Sequence, residues 1–84
     1  HANPYPVQDE LQADCFAGVY AKDAMARGLL DASDIPEATA QSYASGDATF
    51  RWNAHGTSDQ RVMAFRLGYL KGFQSCLSYA NWQP

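Results

Sequence analysis

Glu10 and Asp14 are carboxylates four residues apart, a spacing that stacks them one turn apart on a single helix face, where like charges repel. Asp14 lies beside Cys15 on the side expected to turn inward, and an inward aspartate in mid-helix calls for a cation or a metal site nearby. The simpler alternative is a solvated acidic stripe, the usual place for charged residues. His55 sits next to Gly56, just before a helix cap. A loop histidine there can titrate near neutral pH and donate to a developing oxyanion, or it can merely pack against the helix that follows. Arg61 and Arg66 are the natural counter-ions for inward carboxylates, with Arg61 the better placed to form a structural ion pair with the first helix. Cys15 and Cys76 lack the CxxC spacing of a thiol redox pair. They form either one bridge or two buried thiols. A bridge closing a loop of about 60 residues would contribute on the order of 4 kcal/mol and would point to an oxidising, extracytoplasmic setting, secreted or in the cell envelope.

The elements that must position these groups are short. The chain has 84 residues, one domain that is marginal unless something staples it. Residues 1–7, with Pro4 and Pro6 around Tyr5, read as an extended lead-in. From Gln8 to Arg27 good helix formers dominate, with Asp9 and Glu10 in the first turn and Gly28 as the stop. Leu11, Cys15, Gly18, Ala21 and Met25 form its inward row, whereas the row through Val19 runs into Lys22. Asp34-Ile35-Pro36-Glu37 starts a second helix reaching about Ser45. Thr57 and Gln60 form the capping box of a third, whose apolar face is Val62, Phe65, Tyr69 and Phe73 with Met63 and Leu70 beside it. The helical core is thus expected over residues 8–77 and an irregular tail over 78–84. The fold class expected is all-α: a small three-helix domain with an irregular, aromatic-rich loop and tail and one candidate disulfide.

Composition narrows the function. Aromatic residues make up 13% of the chain and the net charge is only −3, which argues against disorder. An excess of acid over base argues against a nucleic-acid or anionic-membrane surface. No apolar run approaches the ~18 residues of a membrane span. No signal-peptide pattern is present, so a mature or excised segment is expected.

Three ordered stretches carry a family resemblance: Glu10-Leu11-Gln12-Ala13-Asp14-Cys15-Phe16-Ala17-Gly18-Val19, then Asp34-Ile35-Pro36-Glu37-Ala38, then His55-Gly56-Thr57-Ser58-Asp59-Gln60-Arg61. Together they resemble the C-terminal part of the bacterial neutral zinc metallopeptidase family, through its ELQADCFAGV and HGTSxQR motifs. The resemblance implies a zinc-dependent peptidase that hydrolyses peptide bonds with a metal-activated water. It implies Glu10 as the third protein ligand of a His₂Glu site and Asp14 as the carboxylate that fixes a zinc-binding histidine. His55 becomes a candidate transition-state donor, and pairing of Cys15 with Cys76 gains support. The HExxH helix that supplies the two histidines and the water-activating glutamate is absent, since His1 and His55 are the only histidines here. Zinc is therefore expected in the complete enzyme and not in this chain alone. Activity on a peptide or protein substrate would need the HExxH-bearing region in cis or in trans. The competing reading is a non-catalytic helical binding module derived from that scaffold, with Phe50, Trp52, Tyr79 and Trp82 as a contact patch.

Overall fold

The computed structural model describes residues 5–31, 33–36, 46 and 56–83. The described residues are mostly helical and contain no strand, so the fold is all-α. Helix α1 spans Pro6–Ala26, starting two residues before the expected Gln8. Proline has no N–H to leave unpaired in a first turn, which is why Pro6 opens this helix rather than prolonging the lead-in. The Tyr5 N–H donates to Gln8 Oε1 at 3.4 Å. At the other end the Gly28 N–H donates to the Met25 carbonyl and the Leu29 N–H to the Ala24 carbonyl, at 3.0 and 2.8 Å. This double closure needs a left-handed residue after the helix, and Gly28 supplies it with φ +76°.

Helix α2 spans Ser58–Lys71. Its capping box forms as expected, the Gln60 N–H donating to Thr57 Oγ1 at 3.2 Å and the Thr57 N–H to Gln60 Oε1 at 2.9 Å. Gly72, at φ +87°, re-aims the chain. Beyond it lies α3 over Phe73–Cys76, within the helical core expected to residue 77, and then a 3₁₀ turn over Leu77–Asn81, where an irregular tail was expected from residue 78. Asp34, Ile35 and Pro36 are helical, and the remainder of the helix expected there, to Ser45, lies outside the described residues.

Helices α1 and α2 pack face to face. The α1 row Leu11, Cys15, Gly18 and Ala21 is buried, as are Val62, Ala64, Phe65 and Gly68 of α2. Met63 and Leu70 are instead 67% and 72% exposed, and Phe73 is exposed too, stacked on Phe16 at 5.3 Å. The contact face of α2 combines Val62 and Phe65 of the expected face with the small residues Ala64 and Gly68. A Cβ built on Gly68 would stand 1.8 Å from the Cys15 carbonyl oxygen, and one on Gly18 2.0 Å from that of Phe65. The two backbones touch where both lack side chains. Gly68→Ala must therefore push the helices apart, and its unfolding free energy in urea is expected to fall by about 3 kcal/mol. A loss below ~0.5 kcal/mol would mean that the helices cross further apart than this.

Candidate metal-ligand carboxylate and its arginine clamp

The second helix begins where it does because of Gly56, whose φ of +85° suits glycine. A Cβ there would also crowd Leu11 and Val7 at 3.2 and 3.3 Å. The capping box follows, and the Arg61 N–H makes its helical bond to the Thr57 carbonyl at 3.0 Å. Arg61 thus leaves the first turn of α2 directly opposite the acidic face of α1.

Its guanidinium grips Asp14 through a two-point fork: Nε donates to Oδ2 at 2.5 Å and Nη2 to Oδ1 at 2.8 Å. The same Nη2 stands 3.5 Å from Glu10 Oε2. Side-chain exposure grades outward, 8% for Asp14, 12% for Arg61 and 35% for Glu10. The stacked carboxylates therefore share one cation, which offsets the repulsion their spacing creates. Burial raises the pKa of the Asp14 carboxyl above its ordinary value, the Arg61 hydrogen bond and charge pull it back, and Glu10 adds to the rise. Glu10 reaches the lip of this cluster, beside a surface hollow of about 450 Å³ lined by Pro6, Asp9, Glu10 and Ala13.

Behind the carboxylates, the C-terminal segment is tied to α1. The sulfurs of Cys15 and Cys76 are 2.08 Å apart, at bonding distance, and both residues are fully buried. One turn and two turns earlier, Gln12 and Gln8 donate through Nε2 to the carbonyls of Cys76 and Trp82, each at 3.0 Å. These glutamines escape a reading of the sequence for apolar periodicity. The only cue is two amides one turn apart beside the buried Leu11. Tyr79 is buried and Trp82 packs against the core, its ring centroid 6.5 Å from that of Tyr79. They close the interior and do not make the exposed contact patch envisaged for them, whose other members, Phe50 and Trp52, lie outside the described residues. Burial and the nearby Asp14 charge raise the Tyr79 pKa. Lys22, which interrupts the Val19 row, places its ammonium 4.9 Å above the Tyr69 ring.

A carboxylate oxygen is a suitable zinc donor, but a zinc site takes three or four protein ligands. Among the described residues no group of three or more His, Cys, Asp or Glu could hold a metal ion, and the cysteine sulfurs are committed to each other. Glu10 fits the part of one ligand, and the described residues do not make a site by themselves. His1 and His55 lie outside them. The bonded cysteines are compatible with an extracytoplasmic location, and among the described residues no helix is long and apolar enough to cross a membrane.

Comparison with known proteins finds relatives and a family for the chain. The protein named "Uncharacterized protein YpfJ" of Escherichia coli (strain K12) is 36% identical over 80 residues, covering 83% of this chain and 28% of the relative. Its counterpart in Escherichia coli O6:H1 matches to the same extent. The chain therefore spans less than a third of the length of these relatives. No solved structure matches it. Residues 1–79 match the family described as "Putative neutral zinc metallopeptidase". With residues 1–79 of its 84 matched, the chain belongs to the putative neutral zinc metallopeptidase family.

Proposed function

We propose that this chain is the C-terminal, carboxylate-bearing part of a zinc-dependent metallopeptidase, inactive alone. Glu10 supplies the third protein ligand, and the HExxH histidines and glutamate lie outside these 84 residues. The observation that carries the reading is the partly exposed Glu10 carboxylate, braced by Arg61 and stacked above a buried Asp14. When bound, zinc would polarise the scissile carbonyl and acidify a water.

This chain's residues hold and orient. Arg61 anchors Asp14 and restrains Glu10 without neutralising both. Each Asp14 oxygen keeps a second lone pair beyond those given to Arg61, so Asp14 can also accept from a zinc-binding histidine and fix its ring. His55, two residues before Thr57 in the sequence, is assigned as a hydrogen-bond donor to the transition state of a peptide or protein substrate. The bonded cysteines support a secreted or cell-envelope enzyme.

Calorimetric titration of zinc into this chain alone is expected to show binding weaker than micromolar. A tight 1:1 site that disappears in Glu10→Ala would overturn the claim that the site is incomplete here. In a longer chain carrying HExxH, Glu10→Gln is expected to weaken zinc binding by about 100-fold or more, beyond the usual cost of an outer-shell change. Unchanged zinc affinity in that variant would remove Glu10 from the ligand set. If no HExxH accompanies this chain in cis or in trans, the non-catalytic module becomes the better reading.

A further inference from the structure

The outward side of α2 carries a feature that the carboxylate cluster does not use. Met63, Leu67 and Leu70, at helical spacing, line a surface groove of about 310 Å³ floored by Tyr79 and flanked by Arg66 and Lys71. Met63 and Leu70 are among the most exposed large apolar side chains of the chain. Such residues at successive turns make an unusual solvent face.

The cations around it are equally unusual. Among the described residues Arg27 pairs with Asp23, Arg61 with Asp14 and Glu10, and Lys22 covers the Tyr69 ring. Arg66 and Lys71 have no carboxylate partner among the described residues, and both flank this groove. In a chain of net charge −3, the positive charge without a carboxylate partner among the described residues lies beside the exposed apolar stripe.

We propose that this groove docks an amphipathic helix of acidic character, with apolar residues at i, i+3 and i+7 seated on Met63, Leu67 and Leu70 and carboxylates facing Arg66 and Lys71. The apolar seat matches helix-in-groove recognition, and these two cations select the sign of the partner. A second copy of the same face is disfavoured, because it would bring like charges together. An anionic membrane is disfavoured by two cations set in an otherwise acidic chain.

The test is an NMR titration of this chain with a short synthetic helical peptide bearing leucines at i, i+3 and i+7 flanked by glutamates. A counterpart with lysines in place of the glutamates is titrated in parallel. The acidic peptide is expected to shift the Met63, Leu67 and Leu70 methyl signals, and the basic one to bind about tenfold more weakly. Arg66→Glu with Lys71→Glu should invert that preference, and Arg66→Gln with Lys71→Gln should abolish it. Both pairs alter exposed side chains, and circular dichroism checks that they fold.

The proposal is overturned if the acidic peptide does not bind, if both peptides bind alike, or if the shifts fall elsewhere. It is also overturned if the same methyl signals move with chain concentration alone. Finally, sedimentation with phosphatidylcholine–phosphatidylserine vesicles in the absence of peptide binding would assign the face to a membrane.

Discussion

Replacing Cys15 and Cys76 together by alanine is expected to lower the unfolding free energy by about 4 kcal/mol, read as a shift of the urea midpoint. The bond spans 61 residues of sequence, so its loss releases a long loop in the unfolded chain. Small domains hold only about 5–15 kcal/mol in all, so a loss of this size leaves the variant close to its unfolding threshold. The folded side of the balance worsens too. The C-terminal segment would then depend on ties such as the Gln8 and Gln12 amides and on the packing of Tyr79 and Trp82. The unsubstituted protein should resist maleimide under native, non-reducing conditions. Rapid labelling of either thiol, or a midpoint that the double substitution leaves in place, would show that the cysteines are not bonded in solution.

Asp14→Ala is the second large effect. It strips a nearly buried guanidinium of its two-point partner, and losing one member of a buried pair costs about 3–5 kcal/mol. Glu10 stands 3.5 Å from Arg61 and is more exposed, so it recovers part of the loss and places the expected value near ~3 kcal/mol. The double replacement Asp14→Leu with Arg61→Met should recover most of the remainder. The raised Asp14 pKa shows burial outweighing the pull of Arg61, so the intact pair is not itself a large source of stability. A double-mutant cycle with strong coupling is the expected result. Additive losses would mean that the clamp is loose and that Glu10 is not held by it. The cycle also separates folding from function, because a stable double variant that still loses zinc in an HExxH-bearing chain would assign the pair to the metal site.

The features legible in the sequence are local ones. The Thr57–Gln60 cap, the stop at Gly28, and the inward row of α1 were all legible, because caps and periodicity are written in residues a few positions apart. Even the early start of α1 at Pro6 was available, since proline suits a first turn as well as an extended segment. The stacking of Glu10 above Asp14 likewise follows from a four-residue spacing. The burial of Val62 and Phe65 on α2 was legible too, but packing decided which residues completed that face. Ala64 and Gly68 won over Met63 and Leu70, because closeness of the two backbones mattered more than side-chain bulk. Tertiary structure alone decided that the tail expected from residue 78 would coil back as a 3₁₀ turn, and that amides from Gln8 and Gln12 would tie the C-terminal segment to α1. It also decided that one arginine would serve both carboxylates. The Arg61–Asp14 pair joins residues 47 apart and the Gln8–Trp82 bond residues 74 apart. No local preference encodes such partners; they are chosen only when packing brings the helices together and leaves each buried polar group to find the nearest match.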